Sequence, residues 1–164
     1  MIKLVLADDE PLVLIGLQSI LKWEDFDIEI CGCAHNGDQL LQMIRQLSPD
    51  LVIADIRMPL KSGLEVMKTC REKYGRLPLF ILLTSYEEYS YVKEAIGCQA
   101  VDYLVKLELT PESMAKSVGK AVDILRYLQK DRFVHPSPGE RGGMQQFYDK
   151  FFIRLLNHLF ENRD

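Results

Sequence analysis

The sequence lacks the features of an exported or membrane-bound chain. A membrane-spanning helix needs about 18 apolar residues, and no apolar run in the sequence approaches that length. Met1 leads directly into a strand-like segment, rather than into a basic stretch followed by an apolar one, so we predict no signal peptide. We therefore expect a cytoplasmic protein without membrane contact.

A strong charge of one sign is also missing. The formal net charge is only -4 in 164 residues, which gives no reason to expect a nucleic-acid surface. DNA could be bound only through an output domain that is not in this chain. The four cysteines form no C-x-x-C pair and the three histidines are scattered, so we predict reduced thiols and no cysteine or histidine metal site. The cysteines are Cys31, Cys33, Cys70 and Cys98.

The sequence alternates between two kinds of segment that differ in the spacing of their apolar residues. Short, mostly apolar runs predict strands, and segments with apolar residues at helical spacing lie between them. The predicted strands are 2–7, 28–34, 51–56, 79–84 and 101–106. The predicted helices are 11–23, 37–47, 62–74, 86–97 and 111 to about 132. This alternation predicts an α/β fold, with a doubly wound parallel sheet and helices on both faces.

Charged and hydroxyl side chains follow the strands of this predicted sheet. Asp8 and Asp9 come after the first strand, Asp55 lies near the end of the third, Thr84 ends the fourth and Lys106 ends the fifth. Ligands of such sheets bind at the carboxyl ends of the strands, so these groups should meet at one edge. Two carboxylates about 4 Å apart repel by roughly 4 kcal/mol at an effective dielectric constant of 20, and positive charge must offset this repulsion.

Two interpretations of the acidic pair are open at this point. Mg²⁺ accepts one or two carboxylates together with a carbonyl and water, which would make Asp8 and Asp9 half of a magnesium site. Alternatively, the acids cap the helix that begins at Pro11, although one acid is enough for a cap. Lys106 supplies one positive charge in either case.

Four motifs in this order and at these spacings resemble a known family. They are LADDEP (6–11), DIRMPLKSG (55–63), LLTS (82–85) and DYLVK (102–106). Together they make roughly residues 1–128 similar to the receiver domain of two-component response regulators. The resemblance implies a flavodoxin-like (βα)5 fold, whose five-stranded parallel sheet has the order 2-1-3-4-5.

The resemblance also implies a function and a role for each site residue. Asp55 would accept a phosphoryl group from a sensor histidine kinase, and Thr84 and Lys106 would bind the phosphoryl oxygens. The Mg²⁺ ligands would be Asp8, Asp9, Asp55 and the backbone carbonyl of Arg57. Catalysis by the chain itself would be limited to accepting and losing phosphate, so we do not expect an enzyme.

The implied response to phosphorylation involves Thr84 and Tyr103. In the family, an aromatic residue three positions before the lysine turns inward when the threonine hydroxyl is drawn to the phosphoryl group. The switching surface would be the fourth helix, the fifth strand and the fifth helix, and phosphorylation would favour a homodimer. The simpler interpretation is that Tyr103 is an ordinary packed strand residue.

The chain departs from the family pattern in two respects. Leu107 stands where proline usually follows the lysine after a cis peptide bond. Without proline a cis bond costs about 2.5 to 4 kcal/mol, so either the site holds this strain or the bond is trans. Arg57 and Tyr86 are bulky residues two positions beyond Asp55 and Thr84, and we predict that they shield the acyl phosphate from water and slow its hydrolysis.

The predicted helix 86–97 is unusually aromatic. Some of Tyr86, Tyr89 and Tyr91 should be exposed, and exposed rings favour contact with a protein partner. The alternative is that these tyrosines cover the edge of the core with their hydroxyls in water. This helix and DYLVKLEL give a weaker resemblance to receivers joined to AraC-type DNA-binding domains, so we expect the amino-terminal part of a bacterial transcriptional regulator.

The composition changes after the receiver-like region, which we place at 1–130. Residues 131–143 include VHPSPGERGG, and the prolines and glycines of this stretch predict a flexible linker. Residues 144–164 predict an amphipathic helix with one apolar stripe. We interpret this helix as the start of an output or dimerisation region.

Two other functions would use similar residues. A phosphohydrolase with an aspartyl nucleophile also places acids, threonine and lysine at strand ends. It needs a second acid two residues after the nucleophile, however, and this chain has Arg57 there. A phosphorylation-independent, receiver-like interaction module is disfavoured by the intact acids, Thr84 and Lys106.

Overall fold

The computed structural model describes residues 1–85, 87 and 100–134. The strands are β1 (Ile2–Ala7), β2 (Ile28–Ala34), β3 (Leu51–Asp55), β4 (Leu79–Thr84) and β5 (Asp102–Val105). The helices are α1 (Pro11–Ile20), α2 (Gly37–Leu47), α3 (Gly63–Tyr74) and α4 (Pro111–Val134), with short 3-10 helices at Trp23–Phe26 and Lys106–Glu108. The chain forms two compact units, Met1–Ala121 and Val122–Asp164. Within the second unit the structure describes residues 122–134, which belong to α4.

Several predictions fall outside the described residues. They are the helix 86–97 apart from residue 87, the thiol of Cys98, the linker beyond residue 134 and the amphipathic helix 144–164. Helix α4 corresponds to the predicted fifth helix and continues to Val134. The first four residues of the predicted linker 131–143 are therefore helical.

The five strands form one parallel sheet in the order β2-β1-β3-β4-β5. This arrangement confirms the predicted doubly wound α/β fold and its strand order. Strands β3 and β4 are buried along their whole length and β1 at all but one residue, as their continuous apolar sequences require. Strand β1 pairs with β2 on one side and β3 on the other, so the strand order reverses between β1 and β3.

Capping side chains explain where α2 and α3 begin. The side chain of Asn36 accepts a hydrogen bond of 2.8 Å from the backbone N–H of Gln39. The hydroxyl of Ser62 accepts one of 3.1 Å from the N–H of Glu65. Each bond satisfies an amide that has no partner within its own helix. The apolar faces of both helices then contribute to one buried core with the sheet.

Helix α1 ends at Ile20, so the predicted end at residue 23 was wrong. Leu21 already has an extended backbone, with φ of -132°. Trp23 begins a 3-10 helix, and its indole N–H lies 3.2 Å from the carbonyl oxygens of both Leu17 and Gln18. Trp23 thus has helical spacing in the sequence, but it is buried by folding back on the end of α1.

Two further expectations concern the thiols and the membrane. Cys31, Cys33 and Cys70 are free, as predicted. Burial raises the pKa of the Cys70 thiol to about 11, so this group stays protonated near neutral pH. None of the described helices is long and apolar enough to cross a membrane.

Candidate functional site

Side chains from four different strands lie at the carboxyl edge of the sheet. Asp8 follows β1, Asp55 ends β3, Thr84 ends β4 and Lys106 follows β5. The Nζ atom of Lys106 lies 2.9 Å from Oδ2 of Asp8 and 2.9 Å from Oδ2 of Asp55. The structure therefore brings the predicted lysine and two of the predicted acids together, beside the point where the strand order reverses.

Asp8 is fully buried. Its Oδ1 atom accepts a hydrogen bond of 2.9 Å from the N–H of Glu10. Its Oδ2 atom lies at ion-pair distance from Nζ of Lys106, but the two groups are not aligned as a hydrogen bond. Burial raises the pKa of Asp8, while the Glu10 amide and Lys106 lower it. Further positive charge at this carboxylate would therefore be stabilising.

Asp55 is also buried, and both of its carboxylate oxygens have donors. Oδ2 accepts a hydrogen bond of 2.9 Å from Lys106, and Oδ1 accepts one of 3.3 Å from the N–H of Arg57. Burial raises the pKa of Asp55 to about 6, in spite of the opposing effect of Lys106. The two donors fix the orientation of the carboxyl group.

Lys106 begins a 3-10 helix instead of ending β5, so the predicted strand 101–106 was too long. Its burial alone would lower the pKa of the ammonium. Its hydrogen bond to Asp55 and its close ion pair with Asp8, together with the charges of both acids, outweigh burial and raise the pKa of Lys106 well above its usual range. The lysine therefore remains a cation beside the two acids.

The peptide bond after Lys106 decides between the two alternatives for Leu107. Within the described ranges the cis peptide bond is Leu77–Pro78, so the bond from Lys106 to Leu107 is trans. The ammonium nevertheless reaches both Asp8 and Asp55. A proline at position 107 is therefore not needed to place this lysine.

The hydroxyl of Thr84 is buried, and its Oγ1 atom has no hydrogen-bond partner in the described part of the chain. A buried hydroxyl without a partner costs about 1 to 3 kcal/mol. Such a group in a folded domain requires an explanation. An anion that arrives at the neighbouring strand end, where Asp55 lies, would be a suitable acceptor for this hydroxyl.

Tyr103 and Thr84 share one face of the sheet. In the parallel pairing of β4 and β5, Tyr103 is opposite Leu82, and Val105 is opposite Thr84. Residues two apart in a strand point to the same side of the sheet. Tyr103, opposite Leu82, therefore lies on the same side as Thr84 and two positions away along the strands. Tyr103 is half-buried. The two residues of the predicted switch are therefore neighbours on the sheet.

The loop from β3 to α3 passes very close to Asp55. The N–H of Gly63 donates a hydrogen bond of 2.8 Å to the carbonyl oxygen of Ile56. A Cβ atom at Gly63 would lie only 2.3 Å from the carbonyl oxygen of Asp55. Gly63 is therefore needed for this close approach, which explains a glycine at the end of the DIRMPLKSG motif.

Comparisons with known proteins agree with this geometry. A family model described as the response regulator receiver domain matches residues 4–118 of the chain. The chain belongs to the response regulator receiver domain family. Its sheet order is that of the receiver fold.

Individual relatives of this receiver domain are regulatory proteins. The transcriptional regulatory protein HptR of Staphylococcus aureus is 36% identical over 106 residues, which cover 65% of this chain and 41% of that protein. The solved REC domain of AraT, a response regulator from Geobacillus stearothermophilus, is 33% identical with a TM-score of 0.72 and covers 77% of this chain and 97% of that one. The receiver domain of NarL from Mycobacterium tuberculosis is 27% identical with a TM-score of 0.66, over 74% of this chain and 96% of that one. The chain thus spans about 41% of the length of the curated relatives it matches.

The acids of the receiver domain suit a hard divalent cation. Ligand oxygens of Asp8, Asp9 and Glu10 all lie within 4.8 Å of one another. Oδ2 of Asp8 is buried, and it makes no hydrogen bond to any residue that the structure describes. Mg²⁺ prefers carboxylate oxygens of this kind, and receiver domains bind it at their acidic pocket. The donor set of this chain therefore fits the ion.

Sequence reasoning assigned no role to Glu10, although it is the third acid after β1. In the structure its Oε1 atom lies 3.3 Å from Nζ of Lys106. The Glu10 side chain is 65% exposed, so water screens this ion pair and it contributes little to stability. Its position directly after Asp8 and Asp9 was the available signal.

Proposed function

We propose that this receiver domain accepts a phosphoryl group on Asp55 in a reaction that needs Mg²⁺, and that the donor is a sensor histidine kinase. The observation that carries the proposal is the position of Lys106, whose Nζ atom lies 2.9 Å from a carboxylate oxygen of both Asp8 and Asp55. A positive charge beside the acceptor oxygen offsets the repulsion between a carboxylate and an incoming phosphoryl anion.

In the transfer step, a carboxylate oxygen of Asp55 attacks the phosphorus atom of phosphohistidine. The bond from phosphorus to the imidazole nitrogen breaks, and its electron pair stays on that nitrogen, which then takes a proton. The Lys106 ammonium and the Thr84 hydroxyl donate hydrogen bonds to the phosphoryl oxygens. Attack by water later releases inorganic phosphate and restores the Asp55 carboxylate, and no other catalysis is assigned to the chain.

The residues that would hold Mg²⁺ are Asp8, Asp9, Asp55 and the backbone carbonyl of Arg57. The bound ion supplies positive charge that stabilises the transferred oxygens. The chain prepares the ligands beforehand, since the Glu10 amide orients Asp8 and the Arg57 amide orients Asp55. Oriented ligands lose little freedom when the ion binds.

Exposed apolar side chains around the site favour a protein as the donor. Leu12, Leu60 and Leu107 are 82%, 72% and 87% exposed. Each follows the carboxyl end of a strand that contributes to the site, because Leu12 lies at the start of α1, Leu60 in the loop after β3 and Leu107 directly after Lys106. Apolar residues at the rim are favourable contacts for a docked protein surface. A sensor kinase that presents its phosphohistidine here would cover them.

Phosphorylation would act on an output surface through Thr84. Movement of its hydroxyl toward the phosphoryl group leaves space into which Tyr103, on the same face of the sheet, can turn. The surface formed by the predicted helix 86–97, β5 and α4 then changes and favours a homodimer. The aromatic residues Tyr86, Tyr89 and Tyr91 of that predicted helix would take part in the contact.

We also propose that the output is transcriptional control. HptR, a relative that this chain matches over 41% of its length, is named a transcriptional regulatory protein. The receiver domain would occupy 1–130. A linker 131–143, whose first four residues continue α4, would lead to the amphipathic segment 144–164, which would begin an output or dimerisation region. DNA would be bound in the bacterial cytoplasm by a domain, expected to be of AraC type, outside this chain.

One experiment separates this function from its alternatives. The chain is incubated with acetyl phosphate and Mg²⁺, and its intact mass is measured over time. We expect a single, persistent phosphoryl adduct that is missing in Asp55→Asn. Repeated turnover of phosphate esters would indicate a phosphohydrolase instead, and an unchanged mass would indicate a phosphorylation-independent interaction module.

A further inference from the structure

The first turn of α2 lies directly against the loop that carries the site from β3 to α3. Gly37 is the first residue of α2 and is buried. Its N–H donates a hydrogen bond of 3.2 Å to the carbonyl oxygen of Pro59. The same oxygen accepts a second hydrogen bond, of 2.8 Å, from the N–H of Lys61. The helix and the loop are thus joined through one backbone carbonyl.

This contact leaves no space for a side chain at Gly37. A Cβ atom there would lie 2.1 Å from the carbonyl oxygen of Lys61 and 2.5 Å from its Cβ atom. Both distances are far below van der Waals contact, and backbone atoms cannot turn aside as a flexible side chain can. By contrast, a Cβ atom at Gly16 or Gly119 would meet no atom of the described residues within 4 Å. The requirement for glycine at Gly37 therefore comes from the loop.

The part of the loop that Gly37 contacts has a strained backbone. Leu60 has φ of 71° and lies between Pro59 and Lys61, whose carbonyl and N–H are hydrogen-bonded across it. A three-residue turn with positive φ at its central residue is rare and strained, the more so with leucine at that position. Surrounding structure must hold such a turn, and strained residues of this kind are concentrated at functional sites.

The other end of the same loop holds Asp55. The N–H of Arg57 donates to the Asp55 carboxylate, and Gly63 closes the loop on the carbonyl of Ile56. Arg57 is held by Asp55, and Lys61 is held against Gly37, with only a few residues of the loop between them. A displacement at Lys61 must therefore be absorbed by the short segment that carries the Arg57 carbonyl.

We propose that Gly37 is a positioning residue for the phosphoacceptor loop. Its bare Cα allows α2 to hold the strained turn at Leu60, and this fixes the Arg57 carbonyl and the Asp55 carboxylate in the arrangement that binds Mg²⁺. The inference rests on the proposed function, since it concerns the ligands of the same site. It adds helix α2 to the elements that determine metal affinity.

The test compares Gly37→Ala with the matched variant Gly16→Ala in the full chain. The dissociation constant for Mg²⁺ is obtained from the increase of unfolding free energy with Mg²⁺ concentration, each variant being referred to its own metal-free state. A general loss of stability cancels in this comparison. We expect Gly37→Ala to weaken Mg²⁺ binding about tenfold to a hundredfold, as loss of an indirect support of metal ligands does. Gly16→Ala should bind Mg²⁺ as the wild type does.

A second measurement uses the wild-type chain alone and does not depend on the folding of a variant. Addition of Mg²⁺ should shift the amide NMR signal of Gly37 and leave that of Gly16 in place. Equal Mg²⁺ affinity in Gly37→Ala and wild type, or a Gly37 amide that stays still while that of Asp55 shifts, would overturn the inference alone. A wild-type chain that neither binds Mg²⁺ nor forms the phosphoryl adduct would overturn the proposed function as well.

Discussion

The Nζ atom of Lys106 lies 2.9 Å from Oδ2 of Asp55 and donates a hydrogen bond to it. The same ammonium lies 2.9 Å from Oδ2 of Asp8. One lysine therefore offsets the charge of two buried carboxylates, which would otherwise repel each other strongly in a region of low dielectric constant. An incoming phosphoryl group would find this cation already beside the acceptor.

Replacing this lysine should slow phosphorylation far more than it affects Mg²⁺ binding. We expect Lys106→Ala to form the Asp55 adduct about a hundredfold more slowly with acetyl phosphate at saturating Mg²⁺, since a positioned charge on the transferred group is lost. The rate is measured by intact mass. Lys3→Ala is the control, because Lys3 lies near the amino end of β1, at the opposite edge of the sheet. An equal loss in both variants would contradict a specific role for Lys106.

The buried hydroxyl of Thr84 leads to a prediction about stability. Thr84→Val keeps the side-chain volume and removes a buried oxygen that has no hydrogen-bond partner in the described residues. We expect the unphosphorylated, metal-free chain to become more stable by about 1 kcal/mol in urea unfolding. Thr69→Val is the matched control, since the Thr69 hydroxyl donates to the carbonyl of Glu65 at 3.0 Å. A marked destabilisation by Thr84→Val would mean that this hydroxyl has a partner in the resting protein.

Coupling between Thr84 and Tyr103 is tested on the phosphorylated protein. In the wild type we expect the ring signals of Tyr103 to shift in NMR spectra when Asp55 is phosphorylated, with assignment by Tyr103→Phe. In Thr84→Ala the hydroxyl that responds to the phosphoryl group is missing, so the shift should be largely lost. An unaltered shift in phosphorylated Thr84→Ala would show that Tyr103 is an ordinary packed residue.

The sequence was sufficient to predict the sheet and most of the site, for a physical reason. Each of Asp8, Asp55, Thr84 and Lys106 directly follows or ends an apolar strand, and the carboxyl ends of parallel strands share one edge. Side chains far apart in the sequence could therefore be brought together from local patterns alone. The resemblance to receiver domains then supplied the strand order, which the structure confirms.

Features that depend on packing between separate segments were not predictable in this way. Helix α1 ends at Ile20 because the Trp23 indole finds carbonyl partners at the end of the helix, which periodicity does not show. The fit of Gly37 against Lys61 depends on where α2 rests on the β3–α3 loop. The sequence around Gly37, a glycine that follows an N-cap asparagine, does not indicate that contact.

The buried carboxyl of Asp55 should make stability depend on pH in a defined direction. Its pKa is raised by burial from the ordinary value of 3.8 to about 6 in the folded chain. Between these values the folded state binds more protons than the unfolded state, so stability falls as pH rises from about 4 to 6. Above about pH 6 the full cost of the buried charge, up to about 3 kcal/mol, is present.

Asp55→Asn removes this cost because asparagine resembles the neutral acid. In urea unfolding with a metal chelator present, we expect the variant to be more stable than the wild type by about 1 to 3 kcal/mol at pH 8. The difference should shrink toward pH 4, where Asp55 is protonated in the folded state. Asp8 shares Lys106 with Asp55, so the pH dependence of the difference reports on this pair of buried acids, whereas acids far from the site titrate alike in both proteins. A difference that did not vary with pH would mean that Lys106 already neutralises this carboxylate, and that burial does not control its protonation.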